Sequence, residues 1–192
     1  MQFELSLDYI EQLKTAIFNQ DDMYLSAQLT ELYEVDIALI LNRLDLEESI
    51  YLYNLIEEDQ KANVLLELEE DKREAILATF STKEIAEQLD NMDSDDAADV
   101  INELPEEIQN EVLSQIEDIE QASDIADLMS YDEGTAGSLM AKELISVYAH
   151  ESVSACIDEI RRQTDNVETM YAVYVVDMNE KLIGMLSLKK LI

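Results

Sequence analysis

A period of twelve residues runs through the first two-thirds of this chain. Leu32, Leu44, Ile56, Leu68, Phe80, Met92, Leu104, Ile116 and Leu128 are spaced by twelve, and every one is apolar. A second series, three residues earlier, consists of Leu29, Leu41, Tyr53, Leu65, Leu77, Leu89, Ile101, Leu113 and Ile125, again apolar throughout. Directly after members of the first series come Asp45, Glu57, Glu69, Ser81, Asp93 and Pro105, residue types suited to helix N-termini. Each unit therefore predicts a helix of about two turns followed by a tight corner. A 36-residue repeat lies on top, because 55–80 and 91–116 share their apolar spacing. Helices this short bury an apolar stripe only against their neighbours, so the pattern predicts a superhelical stack of short helices set at right angles. Ile10, Leu13, Ile17, Leu25 and Leu29 predict a capping helix or two ahead of it.

The pattern stops near Tyr131. Two of the three glycines, Gly134 and Gly137, fall in the next few residues, so the reading divides the chain into an acidic helical repeat domain, 1–130, and a second domain, 131–192. Strand signals follow at Leu144–Tyr148, Tyr171–Asp177 and Leu182–Leu186, with an amphipathic helix over Val153–Arg162 opened by Ser152. Lys189–Ile192 read as the start of another helix. This strand–helix–strand–strand unit offers one apolar sheet face and has too little chain to cover it. The expected fold class is an α superhelical repeat domain of short helices followed by a small α+β domain.

Charge narrows the function. Twelve basic residues face 45 acidic ones, a net charge of −33, which disfavours nucleic acid and anionic lipid as partners and attracts cations and basic proteins. With 47% hydrophobic residues in periodic order, the chain is too apolar for disorder. The single cysteine, Cys156, rules out an internal disulfide and suits a reducing cytoplasm. The N-terminus lacks a signal-peptide pattern, and no apolar run approaches the ~18 residues of a membrane span. No glycine-rich phosphate loop, no nucleophile with a histidine base and no HExxH pattern is present, so an enzyme is not expected. His150 and Cys156, six residues apart, read as structural. Between Lys83 and Lys142 stand 18 carboxylates and no lysine or arginine. A halophilic chain would spread its acidity everywhere, whereas here basic residues return after Lys142. The expectation is that free ions, bound metal or another part of a larger molecule neutralises this segment.

The acidity concentrates in Met92–Val100. Asp93 suits an N-cap, and Asp95 and Asp96 then fall in the first helical turn, where the helix dipole favours carboxylates. Asp99 stacks over Asp95 at i,i+4, a like-charge pair that costs about 0.2–0.5 kcal/mol on an exposed helix. At about 100° per residue, Ala97, Val100, Ile101 and Leu104 share one face, with Asp95 and Asp99 almost opposite and about 40° apart. The pair is either a solvated acidic face or one side of a cation site.

The C-terminal unit resembles a CBS domain, on the residues Tyr174-Val-Val-Asp177, Lys181-Leu-Ile-Gly184, Leu186-Ser-Leu188 and Leu191-Ile192. With the repeat domain in front, the whole resembles the cytosolic part of MgtE-type magnesium transporters. Gly134-Thr-Ala-Gly-Ser-Leu-Met140, Leu104-Pro105 and Asp95-Asp-Ala-Ala-Asp99 carry that likeness. The resemblance implies a Mg²⁺-sensing and gating region on the cytoplasmic face of the membrane, closing a pore when intracellular Mg²⁺ is high. It implies Mg²⁺ as ligand, with Asp95 and Asp99 as metal residues; Asp96 and Asp93 beside them are candidate helpers, between which the resemblance does not choose. The family's third acidic position, on the neighbouring helix, falls on Asn63. It also implies a second CBS domain and a transmembrane pore as partners in the same protein, an incomplete CBS pair in the present chain, and a homodimer. Mg²⁺ keeps several waters and is usually held by one or two carboxylates, so an Asp95/Asp99 edge is half a site. Metal bridging would hold the repeat domain against the CBS layer, and ligand that favours that arrangement shifts the population toward it. Two other classes stand beside this one: an acidic helical-repeat adaptor for protein partners, and a nucleotide-sensing CBS regulator. In the latter, Met170–Val173 and Ser187–Lys190 would line the nucleotide cleft, with the ribose-binding aspartate supplied by the second half.

Overall fold

The six residues that follow the first apolar series all stand at helix N-caps. In the computed structural model, which describes residues 5–132, 134–163 and 172–187, Asp45, Glu57, Glu69, Ser81, Asp93 and Pro105 each precede a helix with extended or near-extended backbone. Two of them do so with full capping boxes: Asp45 with Glu48, and Ser81 with Glu84. In the second box the Ser81 amide and hydroxyl donate to the Glu84 carboxylate, which lowers its pKa. The box is therefore at full strength at neutral pH, above the unfolded value, and is lost as acid protonates Glu84.

Two compact units are present, residues 1–138 and 139–192. The first contains α1 (Leu7–Phe18), α2 (Asp22–Leu29), α3 (Glu34–Arg43), α4 (Leu46–Tyr53), α5 (Glu58–Glu67), α6 (Glu70–Leu77), α7 (Thr82–Leu89), α8 (Ser94–Glu103), α9 (Glu106–Leu113) and α10 (Ile119–Leu128). Helices pack mainly on those two positions along the chain: α3 on α5, α5 on α7, α7 on α9, and likewise α4 on α6 and α8 on α10. The twelve-residue period is the sequence image of this arrangement, because each unit repeats the same buried stripe. Within the two series only Leu32, Phe80 and Leu113 are half-buried, and all other members are buried.

Polar side chains tie the successive layers. Thr30 bonds Glu57, Asn42 accepts from the Glu69 amide, and Asp90 accepts from the Glu117 amide, each pair separated by 27 residues. Lys72 donates to the Leu44 carbonyl at 2.7 Å, and Gln121 donates to the carbonyls of Leu89 and Met92. These long side chains satisfy carbonyls that helix ends leave without intrahelical donors.

The second unit has the order β1 (Ile145–Tyr148), α11 (Val153–Gln163), β2 (Val173–Val176) and β3 (Leu182–Leu186). β1 pairs parallel with β2, Ile145 opposite Val173, and β2 pairs antiparallel with β3, Val173 opposite Leu186. Ser152 caps α11 through the Ala155 amide. Ile145, Val147, Cys156, Ile160 and Val173 form the core between sheet and helix. Leu144, Tyr148, Tyr174, Val176 and Leu182 line a groove of about 430 Å³, with Leu182 and Leu144 about half exposed. The predicted helix at Lys189–Ile192 lies outside the described residues, as do 170–171 and 188–190 of the segments expected to line a nucleotide cleft. Val173, which belongs to the first of those segments and is described, is fully buried in the core.

At the junction, Gly137 is required by a neighbour. A Cβ there would stand 2.1 Å from Cδ1 of Tyr131, far inside contact distance, so no larger residue fits while the ring keeps its seat. No described helix is long and apolar enough to cross a membrane.

Candidate metal centre

α8 buries Ala97, Ala98, Val100 and Ile101, which fixes the rotation of the helix and turns its acidic side outward. Asp93 is the N-cap residue with extended backbone, although its side chain makes no capping bond to the first-turn amides. Asp95 and Asp96 lie in the first turn, both half-buried, and Asp99 is exposed. Beside them runs a groove of about 810 Å³ lined by Asp96, Asp99 and Glu103 of α8, Glu70 and Arg73 of α6, and Tyr131 and Asp132 after α10, among others. The groove brings together Asp99 and Asp96. Asp95 and Asp93 are not among its lining residues, nor is half-buried Asn63 on α5.

The segment expected to draw its neutralisation from free ions, bound metal or another part of a larger molecule receives a cation from an earlier layer of this chain. Arg73, thirty residues earlier in the chain, forks onto Glu103, with Nε donating to Oε2 at 2.8 Å and Nη2 donating to Oε1. Its Nη1 also donates to the carbonyls of Leu65 and Leu66, at 3.3 and 3.2 Å. The hydrogen bonds to Glu103 raise the pKa of Arg73 most, and the negative charges of Glu103, Glu70 and Asp99 add to it against the effect of burial. Sequence reasoning missed Arg73, Glu103 and Glu70. A signal existed: cross-layer polar pairs recur at separations near thirty residues, as in Thr82–Glu111 and Arg73–Glu103.

Among the described residues, no group of three or more His, Cys, Asp or Glu side chains is arranged to hold a metal ion. Asp95 and Asp99 are one helical turn apart, and Glu103 is engaged by Arg73. That donor set is all hard oxygen and incomplete, which fits a weakly held, largely hydrated Mg²⁺ and suits neither a caged Ca²⁺ nor a soft metal. Cys156 sits in the core with its thiol pKa raised by burial, and the His150 ring lies 5.6 Å from that of Tyr148.

Residues 32–134 match the MgtE intracellular N domain, and residues 136–192 match the CBS domain. The chain belongs to the MgtE family. It is 40% identical over 73 residues to magnesium transporter MgtE of Enterococcus faecalis, and 35% identical over 80 residues to that of Thermus thermophilus. Those alignments cover 38% and 42% of this chain but only 16% and 18% of the relatives' lengths. The fold is similar to a crystal structure of the soluble part of a magnesium transporter, with TM-score 0.77 and 28% identity over 96% of this chain and 72% of that one. It is also similar to the cytosolic domain of the Mg²⁺ channel MgtE in complex with ATP, with TM-score 0.84 and 26% identity over 95% and 74% of the two chains. The MgtE relatives are named as transporters, not as enzymes.

Proposed function

We propose that this MgtE-family chain is the Mg²⁺-sensing and gating region on the cytoplasmic face of a magnesium transporter, closing the pore when intracellular Mg²⁺ is high. Asp95 and Asp99 supply its carboxylates, with Asp96 and Asp93 as helpers and another surface of the transporter completing the site. The observation that carries this reading is the outward edge of α8, where two carboxylates one turn apart stand in a family whose relatives are named magnesium transporters. In the absence of metal, a net charge of −33 favours separation of acidic surfaces. Bound Mg²⁺ removes that repulsion locally and draws the population toward the closed arrangement.

The test is a pair of melting curves, wild type and Asp99→Asn, in millimolar Mg²⁺ and in NaCl of matched ionic strength. In NaCl the variant should stay near wild type, because relief of the Asp95/Asp99 repulsion offsets the lost attraction between Asp99 and Arg73. In Mg²⁺ wild type should be the more stable. Ligand at 100 times its dissociation constant stabilises the native state by about 2.7 kcal/mol, and a half-site at a few millimolar should give about 1 kcal/mol. Equal stabilisation of both proteins by Mg²⁺ would return the aspartates to a solvated face.

The open sheet face of the second unit belongs to the same proposal. Tyr148, Tyr174, Val176 and Leu182 make it largely apolar, and such a face is normally covered. In the whole transporter the cover is the second CBS domain, and in the chain alone it is a second copy. Sedimentation equilibrium should show a concentration-dependent dimer that Leu182→Glu weakens. A clean monomer at high concentration would remove the homodimer from the proposal.

A further inference from the structure

A fixed positive charge stands beside an edge read as a cation site, and the sensing role alone does not call for it. Arg73 is anchored at both ends of its fork, to the Glu103 carboxylate and to the carbonyls of Leu65 and Leu66. The side chains of the pair are only 14% and 21% exposed. A guanidinium stays charged at any pH the fold survives, and its planar fork matches a carboxylate. Held by two backbone carbonyls as well, it does not swing away when another cation arrives. Glu103 follows Asp99 by one helical turn, and Asp96 precedes Asp99 by three residues, so all three share the groove. With Glu103 available, that side of α8 would present a row of three carboxylates. With Glu103 engaged, the row ends at Asp99, and Asp99 lies within the field of the same guanidinium.

We propose that Arg73 is an internal counter-ion that withdraws Glu103 from the cation-binding edge of α8 and sets the affinity of that edge low enough for hydrated Mg²⁺ to come and go. This rests on the reading of Asp95 and Asp99 as Mg²⁺ ligands. Arg73 is thus a positioning residue: it acts on the metal through Glu103 and through its own charge. The two partners have opposite effects. Arg73→Gln removes a positive charge and releases a carboxylate, so divalent binding tightens. Glu103→Gln leaves the positive charge uncompensated next to Asp99, so binding weakens. A pair with only a structural role would shift stability in the same direction in both variants and would not separate their affinities.

The experiment is calorimetric titration of the full chain with MgCl₂ and with CaCl₂ at constant ionic strength. Arg73→Gln should bind Mg²⁺ about three- to ten-fold more tightly than wild type, and Glu103→Gln more weakly by a similar factor, the range expected for one partly screened charge. Ca²⁺ should gain more than Mg²⁺ in Arg73→Gln, because Ca²⁺ accepts more carboxylates. Arg73→Lys, which keeps the charge, should stay near wild type. Affinity changes of the same sign in the two Gln variants, or none in Arg73→Gln, would overturn the proposal. If Arg73→Gln does not fold, Glu103→Gln decides alone, and unchanged or tighter Mg²⁺ binding there overturns it. Asp99→Asn separates the two levels. Undiminished Mg²⁺ binding in that variant sinks the site reading and this proposal together. Diminished binding there, without a gain in Arg73→Gln, sinks only the role of Arg73.

Discussion

Leu89→Ala should lower the unfolding free energy by about 2–5 kcal/mol. Leu89 closes α7, is fully buried, and belongs to the second twelve-residue series with Leu65, Leu77 and Ile101, whose exposures are 0–1%. α7 packs against α5 on one side and α9 on the other, so the cavity opens between layers of the stack. Collapse around it is resisted because each helix is held by two neighbours and because corners as short as Leu44-Asp45 give little slack. In a stack whose stability is a sum of neighbour interfaces, a weakened interface also threatens cooperativity. Urea unfolding followed by circular dichroism should then show a lower midpoint, and a reduced slope if the two sides of α7 separate. Salt must be held constant, because screening of the acidic surface changes stability by itself. Leu46→Ala is the control: that side chain is 40% exposed, and its loss should cost about 0.5 kcal/mol or less. A Leu89→Ala cost as small as the control would contradict the buried assignment of the whole series.

The repeat unit was legible because its cause is local. Each layer meets the next through the same stripe, so the spacing of Leu, Ile, Tyr and Met states the packing directly. Residue type likewise announced the corners, though by more than one mechanism. Asp45 and Ser81 close capping boxes, whereas Glu57, Glu69 and Pro105 open helices without a side-chain cap bond. Glu57 and Glu69 favour the start through the dipole, and Pro105 through its fixed φ. In the second unit, alternation marked the strands within a residue or two. Val173 and Val175 face the helix side, while Tyr174 and Val176 face the groove.

What stayed hidden is what depends on the path of the superhelix. The 100° rule placed Asp95 and Asp99 away from the apolar stripe, and the burial of Ala97, Val100 and Ile101 agrees. It gave no means of knowing that a wall from α6 and from residues after α10 would rise on the Asp96 side, so that the groove takes Asp96 and Asp99 without Asp95. The same limit concealed Arg73. Counting bases along the segment from Lys83 to Lys142 found none, yet charge is neutralised through space, and a return of the chain after thirty residues supplied the cation. An acidic stretch in a repeat protein should therefore be weighed against the bases one layer away.

Tyr53→Ala should cost at least as much as the leucine truncations, at about 3–5 kcal/mol, and Tyr53→Phe should cost about 1–2 kcal/mol. Position 53 falls in an otherwise aliphatic and leucine-rich series, and its side chain is 1% exposed, so the ring is core and the hydroxyl is a buried polar group. The ring packs against Phe80 with centroids 5.7 Å apart, and the ammonium of Lys61 lies 5.9 Å from its centroid. The hydroxyl stands 3.2 Å from Oε1 of Gln88 and 3.3 Å from the Lys61 carbonyl, and it donates its one proton toward them. Burial pushes the phenol pKa far above its ordinary value, with the charge of Glu58 adding to it, so Tyr53 stays neutral through any pH at which the fold persists. Alanine removes the ring, the contact with Phe80 and the seat of the Lys61 stem. Phenylalanine keeps all of these and removes only the donor, leaving Gln88 and the Lys61 carbonyl without it in a buried site. The two variants therefore separate packing from hydrogen bonding at one position. Urea unfolding of both, at the same salt concentration, reads the difference. If Tyr53→Phe matches wild type, the hydroxyl is dispensable and position 53 serves the repeat as a large apolar residue alone. A loss near 1–2 kcal/mol would show that this layer is held by a buried polar bridge from α4 to α5 and α7, a link that apolar spacing does not encode.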